Sequence, residues 1–363
     1  MREERDFLGS VRIEDGALFG VHSARARESC ALGFRLTHPA LVRAIITVKR
    51  AASRAWAALE PADTADAAKF ARIEQACALL LEDFDRYARH FVVDALSGGA
   101  GTPVHMNVNE VIANLALTLD GGQPGDYAAI HPLDDVNRAQ STNDVYPTAL
   151  RIACIGILRE LSQACAALVE ALQKKETEYA GIQKLGRTEL MDAVPIRLGE
   201  EFGAWAQALS RDRWRLYKIE ERLRQVNIGG AAVGVMQAET GGERALLRNH
   251  QHLTLEALRE LTGIGLAAAE YPMDITQNND VFVEASGLLK ALAVNLSKIA
   301  GDLRLMASGP AGGLGELFLA PLQAGSSIMP GKVNPVIPEM VIQCAIKVQA
   351  NDMAISQAAS RGE

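Results

Sequence analysis

The residues best suited to chemistry lie in one short segment near the end of the sequence. This segment reads Gly325-Ser326-Ser327-Ile328-Met329-Pro330-Gly331-Lys332-Val333-Asn334-Pro335. Its two glycines predict a mobile loop that carries two hydroxyls, a cation and an amide, and the prolines that follow predict the start of a helix. Such a loop is suited to closing over an anion. A Ser- and Gly-rich stretch before a proline is also typical of an ordinary linker.

Two other polar segments supply hydrogen-bond donors and a carboxylate. Ser141, Thr142 and Asn143 are three compact donors in one short stretch, and Thr188 precedes Glu189 between a glycine and a proline. A proton leaves the carbon beside a carboxylate only when the resulting enediolate dianion is stabilised, which requires several donors placed around that carboxylate in advance. These residue types fit that chemistry.

The full set of motifs resembles the aspartase/fumarase superfamily. The loop at 325–335 is similar to its signature over all eleven residues, and the similarity covers essentially the whole chain. The other matching segments are Asp6-Phe7-Leu8-Gly9, Leu18-Phe19-Gly20, Arg25, and the segments 106–114, 140–147 and 186–195. The resemblance implies a mainly α fold, in which an N-terminal helical domain precedes a bundle of long helices that forms a multi-subunit helical core.

The resemblance also implies a role for each candidate residue. Ser326 matches the base that removes the proton. The carboxylate that becomes the enediolate is expected to bind Thr102, Ser141, Thr142 and Asn143. Lys332 and Asn334 are expected to hold the other carboxylate, while Thr188, Glu189 and Glu339 lie on the leaving-group side. No cofactor is expected, and no metal, because His131, Asp134 and Asp135 fall in a segment similar to a family loop that binds none.

The expected reaction is elimination of ammonia, or an amine, from aspartate or a related substituted succinate to give fumarate. A hydratase acting on malate, a lyase acting on an N-substituted aspartate and a non-catalytic homologue kept for assembly are the alternatives. Departures from the family pattern keep the two alternative substrates open, whereas the intact Ser326, Lys332 and Asn334 argue against a non-catalytic homologue. The departures lie at Pro103, Val104, His105, Leu133, Ala231, Val235, Met236 and Ala311.

Glu189 is the most informative departure, because relatives carry His or Gln at this position. We expect Glu189 and Glu339 to approach each other across a subunit boundary as a coupled carboxylate pair, in which one pKa rises. An additional negative charge favours a cationic leaving group over hydroxide. The alternative is that Glu189 faces solvent or pairs with an arginine.

The elements that must position these residues are predicted by apolar periodicity. Apolar residues at three and four spacing predict long helices over Ile152 to Tyr179, Ile196 to Val226, Glu243 to Leu261, Val281 to Ala307 and Pro338 to Ala359. Near residue 144, short helical stretches separated by polar loops give way to long amphipathic segments. This change predicts an N-terminal helical domain at 1–144 and a central helix bundle at 145–363. Segments 181–195, 227–235 and 309–335 are predicted to be loops.

Composition sets the remaining expectations. Of 363 residues, 48% are apolar and 5% aromatic, which favours helix, and the net charge of −7 favours neither nucleic acid nor an anionic membrane. Apolar runs such as Ile152 to Leu158 are too short for a membrane span. We therefore expect a cytoplasmic protein with reduced cysteines. The resemblance implies a homotetramer with each active site shared by three chains, and a small C-terminal domain of the family that this chain lacks.

Overall fold

A computed structural model, which describes residues 1–119 and 121–362, is built mainly from α-helices, as the sequence predicts. The helices are α1 (Val21–Ser29), α2 (Pro39–Leu59), α3 (Ala65–Glu82), α4 (Phe84–Tyr87), α5 (Thr102–Leu119), α6 (Thr142–Glu178), α7 (Leu198–Leu223), α8 (Gly241–Thr262), α9 (Pro272–Gln277), α10 (Asp280–Met306) and α11 (Val336–Ala359). The strands are β1 (Arg2–Asp6), β2 (Gly9–Ile13), β3 (Gln183–Thr188), β4 (Met191–Arg197), β5 (Gln225–Val226) and β6 (Ala267–Ala268).

The five long predicted helices are confirmed as α6, α7, α8, α10 and α11. Local sequence explains where one of them begins and ends. The Thr240 hydroxyl accepts a hydrogen bond from the Glu243 backbone N–H at 3.1 Å, and the Glu243 carboxylate accepts one from Glu239. This reciprocal cap fixes the start of α8. Gly263 ends the helix with a φ of 63°, a left-handed conformation that glycine adopts without strain.

The chain divides into two compact units. The first comprises Met1–Ile157 and Leu223–Asn278, and the second comprises Leu158–Arg222 and the chain from Asn279 onward. Helix α6 therefore contributes residues to both units. The division predicted after Asp144 lies within α6 and stays a prediction.

The first unit is organised around α2, which packs against α3, α5 and α8. Its inward face carries Ile45, Ile46 and Val48, none of which is exposed to solvent. Burial of each such side chain stabilises the fold by about 1.5–3 kcal/mol relative to exposure. This core is the base on which the polar loops of the unit are supported.

The second unit contains the later part of α6 together with α7, α10 and α11. Polar contacts connect these helices: Arg159 pairs with Glu220 at 2.8 Å, and Asn295 donates to Asp212 at 2.6 Å. Several large apolar side chains on the same helices remain exposed, including Leu168, Trp214, Tyr217, Val294, Ile346 and Met353. These helices therefore present apolar faces that the unit itself does not cover.

Two hairpins were not predicted. Strands β1 and β2 form an antiparallel pair at the N-terminus, and β3 pairs with β4 inside the segment predicted to be a loop at 181–195. That prediction is wrong for a physical reason: Gly186 and Pro195 interrupt the alternation of apolar and polar residues that indicates a strand. The register shift between Leu185 and Arg187 is where the interruption falls.

Helix α6 is long and apolar enough to cross a membrane by length and composition, with a mean hydropathy of 1.6 over its most apolar 18 residues. This differs from the expectation that every apolar run is too short. A core helix of a globular protein passes the same test, so a single such helix is weak evidence for a span. All five cysteines are free; Cys77 and Cys165 are buried, whereas Cys344 is exposed.

Candidate active site

The donors predicted to hold one carboxylate lie at the beginnings of two helices of the first unit. Thr102 is the first residue of α5, and Thr142 is the first residue of α6. A Cβ atom added to Gly101 would lie 2.6 Å from the ring of Tyr146, so only glycine allows the two helix starts to approach this closely. Free N–H groups and the positive end of a helix dipole favour anions at such positions.

Asp144 fixes the start of α6, which carries Thr142 and Asn143 and is preceded by Ser141. Its Oδ1 accepts a hydrogen bond from the Ser141 backbone at 2.9 Å, and its Oδ2 accepts from Gly229 and Ala231, both at 3.0 Å. Burial raises the pKa of Asp144 to about 6, although these N–H donors and Lys49 oppose the rise. The carboxylate thus ties the predicted anion-binding loop to the turn at 229–231.

A lysine supports the same loop from inside the unit. Lys49 is fully buried, and its Nζ donates to Asn137 Oδ1 at 2.6 Å and to Gln140 Oε1 at 3.1 Å. Burial lowers the pKa of Lys49 to about 7, and Asp144 partly offsets that effect. Lys49 is not among the residues predicted from the sequence, although a signal exists: it occupies a position of the apolar stripe of α2 that follows Ile45 and Ile46 at helical spacing.

His105, one of the departures from the family pattern, contacts a candidate residue directly. Its Nδ1 lies 2.8 Å from Thr142 Oγ1, and its side chain is 1% exposed. Burial lowers the pKa of His105 well below its usual value, and the nearby positive charge of Lys49 lowers it further. The imidazole is therefore neutral at physiological pH.

The Asn143 side chain already makes one contact within the first unit. Its Nδ2 donates to the Ala232 carbonyl at 2.7 Å. A primary amide has two N–H donors, so one donor of Asn143 is left for a ligand. The first unit thus brings Ser141, Thr142 and Asn143 together at the start of α6, and the close approach of Gly101 to Tyr146 places this start beside that of α5, which carries Thr102.

The second unit carries the loop with Ser326, Lys332 and Asn334. Ser326 Oγ accepts hydrogen bonds from the backbone N–H groups of Ile328 at 3.2 Å and Met329 at 3.0 Å. Ser326 and Lys332 line the same cavity of about 450 Å³. Two N–H donors and a lysine charge are the groups that stabilise a serine alkoxide.

Backbone contacts close this loop on itself. Gly325 N–H donates to the Lys332 carbonyl at 2.9 Å, and Asn334 Nδ2 donates to the Gly325 carbonyl at 3.0 Å. A Cβ atom at Gly325 would lie 2.6 Å from the Lys332 carbonyl oxygen, so the closed form requires glycine there. Asn334 keeps a second N–H donor for a ligand.

Thr188 and Glu189 lie at the tip of the β3–β4 hairpin. Thr188 pairs with Met191, which leaves Glu189 and Leu190 as a two-residue turn with φ values of 56° and 66°. Both residues adopt the left-handed conformation, which is uncommon outside glycine and strained for leucine. The tip is exposed, and the side chain of Glu189 has no hydrogen-bond or ion-pair partner among residues 1–119 and 121–362.

Glu339 lies in the first turn of α11, and its Oε1 accepts a hydrogen bond from Arg304 at 3.0 Å. The expected pair with Glu189 across a subunit boundary stays a prediction. Within the part of the chain that the structure describes, no group of three His, Cys, Asp or Glu side chains is arranged to hold a metal ion.

Comparison with known proteins places these features in a family. A family model described as lyase matches residues 9–350. Aspartate ammonia-lyase of Pseudomonas aeruginosa is 45% identical over the whole chain, which covers 74% of that protein, and the Bacillus sp. enzyme of the same name is 42% identical with 75% covered. The chain belongs to the aspartase/fumarase superfamily.

Solved structures of the superfamily share the fold. A fumarate lyase:delta crystallin from Brucella melitensis, bound to cobalt, has a TM-score of 0.91 and 43% identity, over 99% of this chain and 76% of that one. A class II fumarase from Schistosoma mansoni has a TM-score of 0.88 and 26% identity, over 100% and 77%. The mainly α fold expected from the sequence is thus confirmed.

Proposed function

We propose that this chain is an aspartate ammonia-lyase, which eliminates ammonia from aspartate to give fumarate. The observation that carries the proposal is the environment of Ser326. Its Oγ accepts two loop N–H bonds and shares a cavity with Lys332, and these groups lower the energy of the alkoxide needed for proton abstraction. Relatives named aspartate ammonia-lyase match this chain over its whole length.

The proposed mechanism assigns each group one task. Thr102, Ser141, Thr142 and Asn143 hold the carboxylate beside the carbon that loses its proton. Ser326 removes that proton, and the electron pair moves into the carboxylate to form an enediolate. The enediolate then collapses: its electron pair forms the carbon–carbon double bond of fumarate, and the carbon–nitrogen bond breaks so that the amine leaves with the electrons of that bond. Lys332 and Asn334 hold the second carboxylate, and Thr188, Glu189 and Glu339 contact the leaving-group side.

The working form is proposed to be a homotetramer with active sites shared by three chains. Exposed Trp214 and Tyr217 on α7 and Leu168 on α6 support this, because apolar faces of this kind are buried in obligate assemblies. The proposal includes a cytoplasmic location and no cofactor, nucleic-acid or membrane partner.

A lyase acting on malate or on an N-substituted aspartate is the second candidate. The match to a class II fumarase and the unusual His105 and Glu189 favour keeping it. The leaving group is the property that separates the two candidates.

The role of Ser326 is tested by a matched pair of serine variants. Ser326→Ala is expected to lower the turnover of aspartate by at least about 10²-fold, because the base is lost, with an unchanged circular dichroism spectrum. Ser327→Ala, which removes the neighbouring exposed hydroxyl, is the control and is expected to retain most activity. Near wild-type turnover by Ser326→Ala, followed as fumarate absorbance, would remove Ser326 from the mechanism.

A further inference from the structure

The contact between His105 and Thr142 raises the question of which group donates the proton. The two atoms, His105 Nδ1 and Thr142 Oγ1, lie 2.8 Å apart. Because the ring is neutral, it carries one N–H, on either Nδ1 or Nε2. If Nε2 carries the proton, Thr142 must donate its only hydroxyl proton to His105 and none is left for a ligand.

The other side of the ring decides between the two tautomers. His105 Nε2 is buried and has no hydrogen-bond partner in the described residues 1–119 and 121–362. A buried N–H without an acceptor is rarer and more costly than a buried lone pair without a donor. The tautomer with its proton on Nδ1 avoids the unpaired N–H.

We propose that His105 is a positioning residue that donates from Nδ1 to Thr142 and so fixes the Thr142 hydroxyl as a donor to the substrate carboxylate. The inference rests on the proposed function in one respect, namely that Thr142 contacts that carboxylate. A hydroxyl that accepts one hydrogen bond is polarised, and it therefore becomes a stronger donor in the hydrogen bond that it makes to another group. The benefit grows as the carboxylate gains charge in the enediolate, so it belongs to the transition state.

A double-mutant cycle tests the coupling. Thr142→Val removes one donor to the developing dianion and is expected to lower kcat by about 10² to 10³-fold. His105→Leu is expected to cost less, about tenfold, because an unpolarised hydroxyl still donates. His105→Gln, which can supply an amide N–H, should recover most of the loss. The double variant should be no slower than Thr142→Val alone.

His90→Leu is the matched control, since His90 is a second buried histidine of the first unit that accepts from the Leu18 backbone. Its effect should be on thermal stability and should combine independently with Thr142→Val. Independent effects of His105→Leu and Thr142→Val would overturn the inference. Wild-type activity of Thr142→Val would remove Thr142 from the substrate site and overturn it as well.

Neutron diffraction of the unsubstituted protein gives a readout that needs neither activity nor a folded variant. Deuterium on His105 Nδ1, directed at Thr142 Oγ1, is expected. Deuterium on Nε2 would overturn the inference and leave the proposed function standing. Failure of the wild-type protein to form fumarate from any substituted succinate would instead overturn the proposed function, and the deuterium position would still decide the tautomer.

Discussion

The Ser326 hydroxyl accepts two hydrogen bonds from backbone N–H groups of its own loop. Ile328 and Met329 supply these bonds to Ser326, and the turn that provides them depends on the close approach of Gly325 to Lys332. In the proposed mechanism, these backbone donors are in place before a substrate binds and stabilise the Ser326 alkoxide.

The motifs predicted the candidate residues with accessible functional groups but not the buried charged residues, Asp144 and Lys49, that support them. Asp144 lies inside a recognised motif, yet its hydrogen bonds with Gly229 and Ala231 join segments that are more than eighty residues apart in the sequence. Such partners follow from the tertiary fold and have no local signal. Lys49 does have a local signal, because a charged lysine at a position of the apolar stripe of α2 contradicts the helical pattern of apolar residues in the sequence.

The leaving-group specificity is predicted to depend on Glu189. If Glu189 approaches Glu339 across a subunit boundary, the pair attracts a cationic amine and disfavours hydroxide. Glu189→Gln should then lower activity on an amine substrate selectively and shift its pH profile, while activity on a hydroxyl substrate changes little. Initial rates with aspartate and malate over a range of pH measure both effects.

Asp192→Asn, at another exposed carboxylate of the same hairpin, is the control for Glu189→Gln and should affect both substrates alike. If Glu189→Gln also affects both alike, or neither, Glu189 faces solvent or has a structural role and the pair does not exist.

At the level of elements, the long helices follow from their apolar periodicity, whereas the β3–β4 hairpin does not. A hairpin with a Gly, a Pro, a bulge and two non-glycine residues at positive φ contradicts the local rules for strands. Contacts outside the hairpin hold it: Arg187 pairs with Glu316 at 2.6 Å, and Lys184 pairs with the same carboxylate at 3.0 Å.

Glu316→Gln is predicted to destabilise the hairpin. The Arg187 guanidinium, and then Lys184, hold the pKa of Glu316 below its usual value although burial opposes them. A lowered folded-state pKa adds stability above the ordinary glutamate pKa of about 4.3, and this stability is lost as pH falls through the folded value. The free energy of unfolding is expected to fall by about 1.5–3 kcal/mol at pH 7, and the shift in the urea midpoint measures this loss.

The matched control is Glu178→Gln, because Glu178 pairs with Lys175 at 2.7 Å but both side chains are about half exposed. Such a pair contributes at most about 1 kcal/mol. Two results would show that the hairpin does not depend on the Glu316 charge. One is an equal shift of the urea midpoint for both variants. The other is a stability difference between wild type and Glu316→Gln that does not shrink as pH is lowered below about 4.

At the level of the whole molecule, the two units place different parts of the predicted site in different bodies. Thr102, Thr142 and their neighbours belong to the first unit, while Thr188, Ser326 and Lys332 belong to the second. The sequence predicted which residues take part, but the resemblance alone supplied the idea that separate chains complete one site. Exposed apolar side chains on α6, α7, α10 and α11 are the physical support for that idea.

Assembly is predicted to depend on these helix faces. Trp214, on α7, is 62% exposed, and in the proposed tetramer Trp214→Glu would place a charge in a contact between subunits. We expect light scattering after size-exclusion chromatography to show four chains for the wild type, smaller species for Trp214→Glu, and loss of activity with dissociation. Leu8→Glu, at the exposed tip of the first hairpin, should remain tetrameric and active. Activity of a Trp214→Glu monomer would contradict shared sites.

The most direct test of the proposed function is the formation of fumarate by the purified, unsubstituted protein when it is offered aspartate, malate or an N-substituted aspartate. Fumarate is followed by its ultraviolet absorbance and ammonia is measured in the same sample. We expect aspartate to have the highest kcat/KM of the three substrates, and fumarate and ammonia to form in equal amounts. A higher kcat/KM for malate or an N-substituted aspartate, or no fumarate from any of the three, would contradict it.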